Sequence, residues 1–366
     1  MTSEKAVKKA VKNTAKKAAK KTVKKAVKKT VKKAAIPALI EESPADQRSA
    51  LSFNGDGMDL FALMIKNMFL TMFTFGIYSF WAKIDIQKFM NRHTDYRSEP
   101  FDFHGTGWEK FVGFLKGMLI VSVIFAVVVA VTYGLTEYAG EEIAAVIQSV
   151  IMLVLFVAVS PMIIVGKRRY FMSRSSWRGV RFLFAGRWKD LAKIIFRDGF
   201  LSVITLGIYA PWFLYHYQTF IYNHSSFGTV KFRFEGDKKA FVKLCFKGVL
   251  LSVLTLGIYS FWFRAEMERF MWNNTSLQDR KMSCDLTGFL LFKTAVINIL
   301  LIICTFGLGS AWALVRMYRV TLGSIGIIGE LDFETIKASF DEKASALADG
   351  VADASDALDS LADLIS

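Results

Sequence analysis

The 366-residue chain reads as an integral membrane protein, mainly α-helical and multipass, with short β-strands at the boundaries of repeated units. Three observations predict this class. Hydrophobic residues make up 53% of the chain, and its mean hydropathy is +0.34, more than a solvated surface accommodates. Two stretches, Gly117–Thr136 and Ile143–Gly166, contain no charged residue, and each reaches the roughly 20 residues that cross a bilayer core. Finally, one apolar phrase is written four times: "TFGIYSFW" from Thr74, "TLGIYAPW" from Thr205, "TLGIYSFW" from Thr255 and "TFGLGSAW" from Thr305.

The last three copies are spaced by 50 residues, and the flanking text repeats with them. Short alternating stretches ending in glycine precede each copy: "SFNGDG", "RFLFAG", "KFRFEG" and "SCDLTG", at Gly55, Gly186, Gly236 and Gly288. A fifth, "FDFHGTG" at Gly105, leads into the two long charge-free segments instead. Period-two alternation such as Lys231–Glu235 marks a half-buried strand, with glycine supplying the turn. The chain therefore divides into five strand–helix units, four of them carrying a broken Thr-x-Gly-(Ile/Leu)-x-x-x-Trp helix.

Within that phrase Gly76, Gly207, Gly257 and Gly307 stand where a helix stops in a left-handed cap. Tyr78, Trp81, Tyr209, Trp212, Tyr259, Trp262 and Trp312 are the residue types that anchor at a membrane interface. Pro211 fits the first turn of a new helix better than the interior of a continuous one. The motif is read as structural, with a broken helix lining a transport site as its functional alternative. Membrane segments are expected at about 60–82, 117–136, 143–166, 199–216, 240–263 and 294–315.

These features resemble the YjgN family of bacterial inner-membrane proteins of unknown function. The resemblance rests on "FNGDGMDLF", "NMFLTMFTFGIYSFWAK", "FDFHGTGWEKFVGFLKG" and the later GIY copies, over about residues 52–333. Gly309 departs from it by replacing the tyrosine. The resemblance implies a bacterial inner-membrane location and brings no activity with it.

Charge is partitioned. The net charge is +15, yet residues 1–33 carry fourteen lysines against Glu4, while residues 330–366 hold ten acidic groups against Lys337 and Lys343. The arm, residues 1–34, is expected to be disordered or helical when bound, joined by a linker over 35–51. Its Lys8, Lys9, Lys12, Lys16, Lys17, Lys20, Lys21, Lys24, Lys25, Lys28, Lys29, Lys32 and Lys33 form a polyanion-binding segment. Its apolar residues recur every four positions and drift around a 3.6-residue helix, so no packing face forms. The anionic leaflet is the nearer partner, with nucleic acid and the chain's own acidic tail as the alternatives. The tail, 334–366, places Leu347, Val351, Ala354, Leu358, Leu361 and Ile365 on one face, a seam for a partner helix or a second copy.

"EYAGEE" between the long segments has no basic residue, while "GKRRYFMSRSSWRGVR" follows them. This places the turn outside and both termini in the cytoplasm. The short units have basic residues on both sides, which favours hairpins that enter and return. Charges following the phrases (Lys83, Asp85, Lys88, Arg264, Glu266, Glu268, Arg269, Arg316, Arg319) read as solvated or snorkelling. The three cysteines read as buried small hydrophobes. The four histidines show no ligand spacing, and no nucleophile, phosphate-loop or paired-carboxylate motif is present. The expectation is a non-enzymatic scaffold or transporter-like body without cofactor or metal. Alternatives are a small-solute or ion transporter and a membrane tether for nucleic acid.

Overall fold

A computed structural model describes residues 48–337 of the chain. Ten short strands form a closed antiparallel barrel, and ten helices, in five pairs, connect alternate strands within these residues. The first unit runs β1 (Arg48–Phe53), α1 (Gly57–Phe73), α2 (Ser79–Arg92) and β2 (Thr94–Tyr96). The second runs β3 (Glu99–Phe103), α3 (Gly107–Ala139), α4 (Glu141–Arg174) and β4 (Ser175–Trp177). The third is β5 (Val180–Phe184), α5 (Trp188–Ile204), α6 (Ala210–Asn223) and β6 (Ser225–Phe227). The fourth is β7 (Val230–Phe234), α7 (Lys238–Leu254), α8 (Ser260–Asn273) and β8 (Thr275–Leu277). The fifth is β9 (Arg280–Cys284), α9 (Gly288–Cys304), α10 (Ser310–Gly323) and β10 (Ile325–Ile328).

Successive strands pair throughout, and β10 pairs with β1 (Ser49 opposite Ile327) to close the ring. Within a unit the strands are joined by a helical hairpin; between units they are joined by a two-residue turn. Arg97-Ser98, Arg178-Gly179 and Gln278-Asp279 all have positive φ, the type I′ geometry that matches the twist of antiparallel strands. Connections of an up-and-down barrel alternate between its ends. All five helical hairpins consequently leave from one end, and all four tight turns lie at the other.

This corrects the helical multipass class expected from sequence. The strands are not boundary markers between membrane helices; they are the closed sheet on which the units are organised. Among the described residues, only α3 and α4 are long and apolar enough to cross a membrane. The segments 60–82, 199–216, 240–263 and 294–315 are not single spans, because each is folded back on itself at its Thr-x-Gly phrase. The hydropathy signal was genuine, but it came from two short legs and an apolar tip. β1 begins at Arg48, inside the stretch read as linker.

The units lock together through their tryptophans. A Cβ on Gly107 would lie 2.4 Å from the Trp81 ring, on Gly288 2.4 Å from Trp262, and on Gly57 2.2 Å from Trp312. Three of the four indoles of the broken-helix phrase thus lie on the first helical residue of the next unit, and Trp312 on Gly57 joins the fifth unit to the first. Where the next unit begins with Lys238, Trp212 instead meets Phe246 edge-on at 5.8 Å. Arg319 closes the same seam, donating to the carbonyls of Phe53 and Gly55 at 3.2 and 3.1 Å. Arg48 pairs with Asp285 and also donates to the Ser324 carbonyl. The hydrogen bond that Arg48 donates to Asp285, with the Arg48 charge, holds the Asp285 carboxyl below its ordinary value.

Candidate functional site

The four short hairpins end in one geometry. At the tips, Thr74, Thr205, Thr255 and Thr305 stop the outgoing helix, the next residue is left-handed (φ about 50°), and the glycine follows at φ 89–92°. The glycine N–H reaches back to the carbonyl five residues earlier, as Gly257 to Ser252 at 2.7 Å. The threonine hydroxyl joins the legs. In the third copy Thr255 donates to the Leu251 carbonyl at 2.7 Å and accepts the Tyr259 N–H at 2.9 Å. The fourth copy makes the same link to the Gly309 N–H at 2.7 Å. Loss of the tyrosine side chain therefore leaves the turn intact, since only the backbone of that position is used.

Every N–H from Thr74 to Ser79 finds an acceptor within the first tip. A turn so satisfied can enter hydrocarbon, where an unpaired backbone group costs several kcal/mol. What the tips expose is apolar. Phe75, Leu206, Leu256 and Phe306, the residues held at positive φ, are 94–98% exposed. A bulky side chain kept in a left-handed conformation costs roughly 1–2 kcal/mol. These four make no packing contact that offsets it within the fold.

About 10 Å below each tip, at 1.5 Å per helical residue, the legs are joined by a polar couple. These are Lys66–Asp85 at 3.5 Å, Asp198–His216 at 2.6 Å, Lys247–Glu266 at 3.0 Å and Asn298–Arg316 at 3.3 Å. Tyr78 and Tyr259 donate to the acids at 3.4 and 3.3 Å and stack on Trp81 and Trp262. Several charges read as solvated (Asp85, Glu266, Arg316) are in fact these inter-leg partners.

Sequence reasoning missed the second couple. Asp198 is fully buried and accepts from Arg197 at 2.7 Å. Lys238 donates to His216 Nε2 at 3.0 Å, leaving the ring proton on Nδ1 for Asp198. Burial opposes the Asp198 carboxylate, but hydrogen bonds from Arg197 and His216 overcome it and keep the carboxyl below its ordinary range. The acid lies eighteen positions from His216 on the other leg, so nearest-neighbour spacing hid it; the 50-residue register, with Asn298 at the equivalent place, was the available signal. We expect Asp198→Asn to be tolerated, as Asn67 and Asn298 are in their units. Asp198→Leu should cost about 1–3 kcal/mol by leaving the largely buried His216 N–H without its acceptor. Melting of the purified variants checks this.

The second feature is the barrel lumen. Aromatic and aliphatic side chains from all five units, among them Leu51, Phe101, Trp177, Phe227, Leu277 and Ile327, surround an apolar cavity of about 220 Å³. At the turn end it is covered by Leu331, Phe333 and Ile336. Phe333 meets Trp177 edge-on at 5.2 Å, with the Arg178 guanidinium over its ring at 5.3 Å. At the hairpin end Leu51, Phe101 and Phe182 also line a second, more polar space with Gln87, Asn91, Arg168 and Tyr318.

The lysines of the arm from Lys8 to Lys33 lie outside the described residues, as does the tail beyond residue 337. Gly76, Gly207, Gly257 and Gly307 come together only as separate tips, not as one convergent site. Cys245 and Cys284 are buried, but Cys304 is exposed beside the last tip, unlike the expectation. Among the described residues no group of three or more His, Cys, Asp and Glu could hold a metal ion.

A repeat-built barrel bearing helical hairpins at one end, with apolar tips, is the class of protein these features define. The chain belongs to the family described as bacterial protein of unknown function (DUF898), whose model matches residues 48–249, 229–293 and 263–354. The chain is also similar to the inner membrane protein YjgN of Salmonella typhimurium (strain LT2), with 25% identity over 142 residues. That alignment covers 39% of this chain, and the chain spans only 33% of the relative's length. No solved structure matches.

Proposed function

We propose that the chain is a non-enzymatic scaffold seated on the cytoplasmic face of the inner membrane. The α3–α4 hairpin crosses the bilayer, and the four short hairpins dip into the near leaflet. The observation that carries this is the common exit of all five hairpins from one barrel end, with Phe75, Leu206, Leu256 and Phe306 exposed at the short tips. Ten ångströms of apolar tip beyond each polar couple suits the roughly 15 Å hydrocarbon depth of a single leaflet. The inner-membrane name of the relative agrees with this location. Basic residues beside the helix roots (Lys110, Lys116, Lys167, Arg169), and the lack of any at the long tip around Glu141 and Glu142, support a cytoplasmic barrel. An apolar lumen covered at one end favours a scaffold over a conducting pore. The lysine arm adds a contact with anionic lipid in this reading, and nucleic acid is its competitor.

Sidedness gives the test. An impermeant thiol reagent should label Gly140→Cys in intact cells and Ser98→Cys only in inverted vesicles. The opposite pattern refutes the seating.

A further inference from the structure

We propose that the barrel lumen and the space beneath it form one binding site for a single-chain anionic amphiphile, its alkyl chain in the lumen and its headgroup at Arg168. This rests on the seating proposed above, which turns the hairpin end toward the bilayer.

The lumen has the character of a ligand site rather than of a packing defect. Its cavity of about 220 Å³ has a wholly apolar lining, and a dry apolar cavity of roughly 150 Å³ already admits benzene. Protein interiors otherwise hold few voids larger than a water molecule. The cavity has a direction as well. Phe333 and Ile336 cover its turn end. At the hairpin end Leu51, Phe101 and Phe182 belong both to the lumen and to the adjoining space. A chain entering from the membrane side passes these three residues first.

The adjoining space changes chemistry abruptly. Gln87 and Asn91 of α2, Arg168 of α4 and Tyr318 of α10 line it. Gln87, Arg168 and Tyr318 occupy corresponding positions on the returning helices of units one, two and five, so they stand around the barrel axis. Gln87 donates to Asn91 at 2.9 Å, and Asn91 bonds the Asp102 carbonyl and Ser175 at 3.4 Å, fixing that wall. Its neighbours Arg169 and Arg174 are committed, to the Gly186 carbonyl and to Glu109. Arg168 has no ion pair or hydrogen-bond partner among the described residues, although it stays accessible in the space. A guanidinium at the mouth of an apolar tube matches a carboxylate or phosphate on an alkyl chain: the fork binds the anion and the tube takes the chain. Glu268, at the corresponding position of unit four, is held by Trp272 at 3.2 Å and does not line this space.

The protein in nanodiscs of neutral phosphatidylcholine tests the proposal, with quenching of tryptophan fluorescence by bromolaurate as the readout, since Trp177 and Trp272 line the lumen. Saturable quenching at one molecule per chain is expected. Affinity should fall about tenfold for Arg168→Gln and for the uncharged bromododecanol. Leu51→Trp, which narrows the passage, should abolish saturation. Phe182→Ala, which widens it, should favour a longer bromopalmitate instead. Brominated lysophosphatidylglycerol distinguishes the source: tighter binding than bromolaurate names a phospholipid, weaker binding a free fatty acid. Linear, non-saturable quenching that is equal in all variants means partition into the bilayer and overturns the proposal. If the variants remain in the membrane fraction, only the lumen site has failed; if the wild type itself floats free of vesicles, the seating has failed.

Discussion

Gly57→Ala is expected to destabilise the barrel by about 3 kcal/mol, the upper end of the usual cost of overpacking. The added methyl would lie 2.2 Å from Trp312 at the seam where the fifth unit meets the first. The three atoms nearest that methyl all belong to the Trp312 side chain, so Trp312→Ala in the same chain should restore much of the loss. Gly288→Ala provides the contrast. There the methyl also meets the Trp262 Cα at 2.5 Å, and backbone cannot be trimmed, so Trp262→Ala should not rescue it. Thermal melting of the four variants in one detergent checks both halves. No loss from Gly57→Ala, or no rescue of it by Trp312→Ala, would mean that the units are not locked by indole-on-glycine packing.

A chain carrying Phe75→Asp, Leu206→Asp, Leu256→Asp and Phe306→Asp should fail to accumulate in membranes. An aspartate deep in the bilayer costs about 3 kcal/mol, and four together reach the whole stability of a typical domain. The tips make no internal contact that the substitutions remove, and aspartate tolerates the left-handed conformation better than leucine. A tip lying in water would therefore gain from the change. Asparagine at the same four positions should give a smaller loss, because it carries no charge. Normal yield of the tetra-aspartate chain in the membrane fraction would remove the tips from the bilayer.

The repeat was legible because it is written almost verbatim: the 50-residue register, the alternating strand before each glycine, and the stop at Gly76, Gly207 and Gly257 could all be read from text. Barrel closure could not. Three-residue strands such as Thr94–Tyr96 and Thr275–Leu277 are too short for a period-two pattern to register, and the pairing of Arg48–Ala50 with Gly326–Ile328 joins opposite ends of the described chain. Hydropathy counted residues along the chain and so merged two helical legs with the turn between them. The tryptophans were read as interface anchors from composition. Trp81, Trp262 and Trp312 also require a glycine in the following unit, a relation that aligning the five units would have revealed. His216 and Asp198 escaped for the same reason, since their contact is between legs and not along one helix.

The central claim is that the short tips lie in hydrocarbon while the barrel stays in water. A nitroxide on Leu256→Cys in reconstituted vesicles tests it most directly, through collision with oxygen, which partitions into lipid, against a nickel chelate, which stays in water. High oxygen and negligible nickel accessibility is the predicted result, with the reverse for a nitroxide on Ser98→Cys at the turn end. Nickel accessibility at Leu256→Cys equal to that at Ser98→Cys would contradict the account.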